Sequence, residues 1–182
     1  MPAMRTMRAL PILLLLGCTS KPAAPAQPPD VGAPAPDFSL TGSDGKTHSL
    51  AELRGQRAVV IAWFPKAFTG GCTAECKSLR EGGDALRQYD VSYFAVSTDT
   101  PEDNKRFAES LGADFPILAD PSSDTARAYG VLGKDGKRAR RWTFYIGVDG
   151  KIRDIDREVK PATAAQDVVK HLDAIGVVKR PS

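Results

Sequence analysis

The chain has 182 residues, a formal net charge of +3 and three cysteines. That charge makes no case for nucleic acid or for a strongly acidic partner. Three cysteines cannot supply a disulfide scaffold, so a hydrophobic core has to hold the fold.

The first residues read as a targeting segment rather than as fold. Arg5 and Arg8 make a basic start, and residues 10–16 form an apolar run too short to span a bilayer. The run ends at Leu15-Leu16-Gly17-Cys18, which resembles a bacterial lipobox. The resemblance implies cleavage before Cys18 and lipidation of Cys18; the alternative is plain secretion with an incidental cysteine. Thr19 after Cys18, with no Asp, is similar to the pattern that sorts lipoproteins to an outer membrane. The expected location is the cell envelope, lipid-anchored, facing periplasm or cell exterior. Loss of Arg5 and Arg8 leaves a charge of about +1. Met1, Met4 and Met7 are all in the leader, and a methionine-free mature chain suits exposure to oxidants. Residues 18–36 are rich in Pro and Ala and lack helical periodicity, so they read as an extended tether. The expected organisation is a leader over 1–17, a lipidated tether over 18–36, and one globular domain over 37–182.

In that domain, residues 38–40 and 47–50 flank Ser43-Asp44-Gly45-Lys46, a hairpin signal. Residues 58–63 are an unbroken apolar run and read as a fully buried strand. A helical pattern begins near Cys72, carries Leu79 and Leu86, and breaks at Gly82-Gly83. Residues 91–97 read as the next strand. Thr100-Pro101-Glu102-Asp103 predicts a helix start, with Thr as N-cap, Pro in the first turn and two acids beside it. Phe107, Ala108 and Leu111 line that helix's apolar face, and Gly112 ends it. A short helix over 125–129 follows. Residues 142–148 and 151–155 form a hairpin across Asp149-Gly150, and 162–175 form a last amphipathic helix with Val168, Val169, Leu172 and Ile175 on its face. The order predicts an α/β fold, a central mixed sheet with helices on both faces.

The chemistry concentrates in residues 65–76, Pro-Lys-Ala-Phe-Thr-Gly-Gly-Cys-Thr-Ala-Glu-Cys. Cys72 stands where the buried strand, a glycine-containing loop and a helix start meet. The first N–H groups of a helix are unpaired, and the helix dipole adds positive potential there. A thiol so placed ionises more readily, and the thiolate is the nucleophile. A small packed cysteine is the plainer alternative. Gly70 and Gly71 let the backbone turn sharply and approach a ligand closely. Glu75 reads as a favourable acid in the helix's first turn. Lys66 reads as exposed, and His48 and His171 receive no role.

Pro65 through Cys72 resembles the Pro-x-x-x-Thr-x-x-Cys signature of peroxiredoxins. The flanking residues, Phe64 to Glu75, are similar to the bacterioferritin-comigratory (Q-type) subgroup. Residues 95–101, 115–121 and 128–131 resemble later segments of that family, and Arg141-Trp142-Thr143-Phe144 resembles the strand that presents its active-site arginine. The match runs from about Val31 to Ile175. It departs from the subgroup at Gly70, where Pro is usual, and at Cys76, four residues after Cys72 instead of five. The resemblance implies a thioredoxin-like fold and a thiol-dependent peroxidase that reduces hydrogen peroxide or organic hydroperoxides.

The same resemblance implies the roles. Cys72 attacks the peroxide and becomes a sulfenic acid. The Cys72 N–H, the Thr69 hydroxyl and the Arg141 guanidinium face the charge that develops on the oxygens. Pro65 shapes the loop, and Cys76 is a possible resolving thiol. No metal or other cofactor is needed. The partners are a peroxide, a thioredoxin-like or other thiol reductant, and the membrane reached through the anchor; nucleic acid is not among them.

Two other classes compete. Cys72-x-x-x-Cys76 resembles the cysteine pair of thioredoxin-fold copper-delivery proteins, but those need a His before a late strand, where this chain has Arg140-Arg141. A membrane-anchored thiol–disulfide oxidoreductase wants two cysteines separated by two residues, a spacing this chain lacks.

Overall fold

The structure, a computed structural model, describes residues 28–181. The leader, Cys18 and the first part of the expected tether lie outside the described residues.

The fold is built on one apolar strand. All six residues of β3 (Ala58–Trp63) are buried, as a strand covered on both faces requires. Its alternate side chains feed two cores. Ala58, Val60 and Ala62 face one, while Val59, Ile61 and Trp63 face the other. Each fully buried Val or Ile there stabilises the fold by about 1.5–3 kcal/mol.

Six further strands complete the sheet around β3. They are β1 (Ser39–Gly42), β2 (Thr47–Ser49), β4 (Val91–Ser97), β5 (Ile117–Ala119), β6 (Thr143–Ile146) and β7 (Ile152–Asp156), in the spatial order β2-β1-β5-β4-β3-β6-β7. Strands β3, β4 and β5 run parallel, and β6 pairs antiparallel with β3. The C-terminal ends of β3 and β4 therefore share one end of the sheet with the start of β6. On one face lie α2 (Gly70–Glu81), α4 (Pro101–Leu111) and α6 (Ala164–Ala174), which supply Leu79, Phe107 and Val168 to the core. On the other, α1 (Leu50–Leu53) and α5 (Asp124–Ala128) cover Phe144 and Ile146 with Leu50 and Ala126. This is the central mixed sheet with helices on both faces expected from the element order, and the thioredoxin-like fold that the resemblance implied.

Local signals worked where they were chemically complete. The Thr100 hydroxyl accepts from the Asp103 N–H at 3.1 Å, Pro101 opens α4, and Gly112 closes it at φ 60°. The hairpins and the break after Glu81 also stand where expected. Three elements were not foreseen: α1, β5 and α3 (Gly83–Arg87). The tether boundary also needs correction. Ala35 is buried, Gly32 N–H donates to the Ile152 carbonyl at 2.8 Å, and Ala35 N–H donates to that of Gly150 at 2.9 Å. Residues 32–36 thus belong to the domain, laid along the start of β7. Their Pro/Ala composition suits such an edge, where a prolyl residue forfeits no ladder bond.

Candidate active site

Helix α2 starts two residues earlier than the sequence pattern suggested. Thr69 takes the N-cap position and Cys72 is the third helical residue. The first backbone bond of the helix runs from Thr73 N–H to the Thr69 carbonyl at 2.8 Å. The N–H groups of Gly70, Gly71 and Cys72 lie ahead of that bond, at the positive end of the helix dipole.

The loop ahead of α2 is pinned from β4. Asp99, just beyond that strand, accepts from the Ala67 N–H at 2.8 Å and from Lys66 Nζ at 3.1 Å. Ser97 Oγ lies 3.0 Å from Asp99 Oδ2 and 3.1 Å from Oδ1 of buried Asn104. Lys66 is exposed as expected, but it is tied to this carboxylate. Phe68 adopts φ 61°, a left-handed conformation that costs a bulky residue about 1–3 kcal/mol. Its ring stays half out in solvent, edge-on to Phe107 with centroids 5.1 Å apart. Asp99 anchors the loop at Lys66 and Ala67, and Phe68 turns it toward Thr69 and the start of α2; neither was singled out from the sequence.

Arg141 reaches this point from the other side of β3. It lies two residues before β6, and its Nη2 donates to Cys72 Sγ at 3.3 Å. A Cβ on Gly71 would lie 3.1 Å from that Nη2, so the glycine permits the approach. Arg141 Nη1 donates to Glu75 Oε2. Burial works against the arginine's charge, but Glu75 and Cys72 outweigh it and hold its pKa above the usual value.

Glu75 is the main residue whose role the sequence reading missed. It lies beyond the first turn of α2 and is only 1% exposed. Its Oε1 is buried without a hydrogen-bond partner, a cost of about 1–3 kcal/mol. Burial lifts its pKa to about 7, although Arg141 pulls the other way; nearby Asp156 adds to the rise. A signal existed. Cys72, Glu75, Cys76 and Leu79 follow the spacing of one helix face, and that face is the core face.

The remaining expected residues are placed unequally. Pro65 follows the half-turn out of β3 and is half-buried. Thr69 is exposed, and its hydroxyl donates to the Lys66 carbonyl at 2.9 Å. Its one proton is thus spent, which leaves its oxygen as an acceptor rather than the donor expected. Cys72 and Cys76 are both free thiols, 1% and 0% exposed. Cys76 is packed in the core; burial first, then the neighbouring Glu75 and Cys72, push its thiol well above the ordinary value. Cys18 lies outside the described residues.

A thioredoxin-like sheet, with a buried thiol at a helix start beneath a guanidinium, defines a cysteine-based redox enzyme. The comparisons with known proteins narrow that class. The profile of the AhpC/TSA family matches residues 31–155. Peroxiredoxin Bcp of Escherichia coli strain K12 is 36% identical over 139 residues, spanning 73% of this chain and 88% of its own. The crystal structure of peroxidoxin BcpB from Mycobacterium tuberculosis superimposes with a TM-score of 0.73 at 30% identity, over 81% of this chain and 98% of that one. The bacterioferritin comigratory protein of Xanthomonas campestris gives a TM-score of 0.72 at 26% identity, over 80% and 98%. The chain belongs to the AhpC/TSA family and is a peroxiredoxin. These likenesses lend no support to copper delivery or disulfide exchange, and the guanidinium against Cys72 occupies the place where copper delivery would need a ligand.

Proposed function

We propose that Cys72 is the peroxidatic nucleophile of this thiol-dependent peroxidase and that Arg141 is its electrostatic partner. The observation that carries the assignment is the 3.3 Å bond from Arg141 Nη2 to Cys72 Sγ at the start of α2. A charge-assisted bond of this kind suits a thiolate better than a thiol. The thiolate attacks the terminal oxygen of a hydroperoxide. An S–O bond forms as the O–O bond breaks, and Cys72 becomes a sulfenic acid. The other oxygen leaves as hydroxide or alkoxide and takes a proton to become water or an alcohol. The transition state spreads negative charge over sulfur and both oxygens. Arg141 and the unpaired N–H groups of the first turn face that charge without having to reorganise. The Thr69 oxygen accepts the O–H of the incoming peroxide, an arrangement its bond to Lys66 leaves open. Pro65 shapes the loop and touches no reacting atom.

Cys76 serves as the resolving thiol once the first turns of α2 open. Its attack on the Cys72 sulfenic acid forms the disulfide and releases water. A dithiol reductant of the thioredoxin-like kind then returns both cysteines to thiols. The mass of the protein after one equivalent of hydrogen peroxide tests this course. A loss of two hydrogens across Cys72 and Cys76 supports the whole course; a lasting gain of one oxygen at Cys72 supports the attack but overturns resolution by Cys76; an unchanged protein refutes both.

Cys18 is the lipidated residue, and the domain faces an extracytoplasmic compartment of the cell envelope. The lipobox-like Leu15-Leu16-Gly17-Cys18 and the Pro/Ala-rich stretch after it support this reading. A single acyl chain holds a protein only marginally, so stable anchoring takes more than one. Cys18→Ala in the native host should leave the precursor uncleaved or release the protein from membranes. Membrane retention of a correctly cleaved Cys18→Ala chain would overturn the anchor.

A further inference from the structure

We propose that the active-site end of the domain docks on an anionic phospholipid surface, with the Cys72 mouth turned toward the bilayer. The inference rests on the lipid-anchored reading above and adds an orientation to it. Three independent features meet at this end of the sheet.

The first is charge. The segment from Gly133 to Arg141 crosses the C-terminal end of β4, held by the Thr98 hydroxyl donating to the Lys137 carbonyl at 2.7 Å. It carries exposed Lys134, Lys137, Arg138 and Arg140, and exposed Arg157 and Lys160 join it just after β7. The starts of α4 and α5 at the same end carry Glu102, Asp103 and Asp124, the last two paired with Arg106 and Arg127; within and beside the basic segments the cations outnumber the acids, Asp30, Asp135 and Glu158. Of those, Asp30 meets Arg157 at 3.5 Å, and Asp135 accepts from the Lys137 and Arg138 N–H groups.

The second is an amphipathic aromatic. Half-buried Trp142 lies beneath two guanidinium groups, Arg140 at 5.4 Å and Arg157 at 5.1 Å from the ring centroid. A tryptophan between cations suits the level of lipid headgroups. Exposed Phe68 stands on the mouth itself.

The third is the path of the chain. Pro28 lies over Gly130, where an added Cβ would come within 2.4 Å of it, and Asp30 reaches Arg157. The described chain therefore enters at the basic end. Cys18 precedes Pro28 by ten residues. Ten residues of chain reach at most about 35 Å, so an anchored Cys18 keeps this end within that distance of the headgroups. Attraction between exposed charges fades beyond about 8 Å in physiological salt. A tether of that reach lets the cations enter that range, and once within it they set the orientation.

The full chain carrying Cys18→Ala tests the face without the acyl group. It is floated with vesicles of phosphatidylcholine alone or mixed with phosphatidylglycerol. The leader is present throughout, so its own lipid affinity cancels between variants. We expect preference for the anionic vesicles, loss of that preference in high salt, and quenching of Trp142 by headgroup-labelled lipid. Lys137→Gln, Arg140→Gln and Arg157→Gln together should lower anionic partitioning on the order of 100-fold, at about 5-fold per charge. The rate with hydrogen peroxide in solution should not change, which also shows that the variant folds. Equal flotation of the triple variant and its parent would sink the proposal, as would indifference to phosphatidylglycerol. An unacylated Cys18 in the host-derived protein would instead overturn the anchor reading, so the two failures remain distinct.

Discussion

Cys72 and Cys76 share one helix, a turn apart, and both are almost completely buried. Exposure therefore does not separate them; what faces each sulfur does. Cys72 stands in the first turn, where backbone donors are unpaired and Arg141 donates to its sulfur. Cys76 lies one turn deeper, in the core that also holds Leu79, Phe107 and Val168. Its neighbours Glu75 and Cys72 raise its pKa further above what burial alone produces. One thiol is provided with positive charge and the other is kept neutral. Under the assignment proposed above, the comparison teaches that the helix start and its guanidinium, not the residue type, select the nucleophile.

The largest expected effect breaks the comparison at its stronger side. Cys72→Ser should abolish peroxide consumption with a thiol donor and leave the unfolding midpoint close to that of the parent. Near-parental turnover would move the chemistry elsewhere. Next comes Arg141→Ala. Removing a preorganised donor of this kind costs on the order of 100-fold in rate, to be read as the bimolecular rate constant with hydrogen peroxide. Gly71→Ala should act in the same direction but more weakly, because the new Cβ lies 3.1 Å from Nη2 and only displaces the guanidinium. Rates unchanged in both variants would make Arg141 a structural residue.

A smaller effect concerns Glu75, which ties the guanidinium to the core. Burial raises its pKa from 4.5 to about 7, so between those values the folded protein binds more protons than the unfolded chain. Stability from this group is fully present below about pH 4.5 and is lost as pH rises through about 7. Glu75→Gln replaces the carboxyl with a neutral group of the same shape and should remove that loss. The stability difference between parent and variant should change by about 3 kcal/mol across the window, measured by urea unfolding at a series of pH values. Parallel stability curves would show that Glu75 titrates as it does in the unfolded chain.

What the sequence made legible was local and chemically complete. Residues 58–63 announce a buried strand by being apolar throughout, and all six are buried. Thr100, Pro101 and Gly112 mark both ends of α4 because each satisfies the backbone next to it. Arg141 was marked by the resemblance of Arg141-Trp142-Thr143-Phe144 to the strand that presents the family's arginine. What stayed hidden depends on partners distant in the chain. β5 has only three residues and exists because β1 and β4 flank it. Residues 32–36 look like linker until β7 is there to receive them. Asp99 ends a strand like many acids, and its bond to Ala67 spans 32 positions. Glu75 lay between the two: its place on the apolar face was readable, but its pairing with Arg141 across 66 positions was not.

The last prediction tests the weaker side of the comparison and concerns the fate of the oxidised enzyme rather than its rate. Helical residues four apart have Cβ atoms about 5–6 Å apart, whereas a disulfide needs about 3.5–4.5 Å. Cys72 and Cys76 therefore cannot bond while α2 is intact, and Cys76 is a neutral thiol for as long as it is packed. Opening the start of α2 removes both obstacles together. The helix is poorly secured there: Thr69 makes no side-chain cap, no acid stands in the first turn, and Gly70 and Gly71 begin it. Such ends open at little cost. Oxidation also gives a reason to open, since a sulfenic oxygen must be fitted into a site where Cys72 is only 1% exposed. Cys76→Ser should leave the first turnover with peroxide close to parental, because Cys76 takes no part in the attack. It should then stop at the sulfenic acid and pass to sulfinic acid with excess peroxide, while the parent forms an intramolecular disulfide. Intact mass after a pulse of peroxide, with free thiols blocked, distinguishes the three products. A parent that accumulates sulfenic acid with Cys76 still free would show that an external thiol resolves Cys72 and that Cys76 only packs.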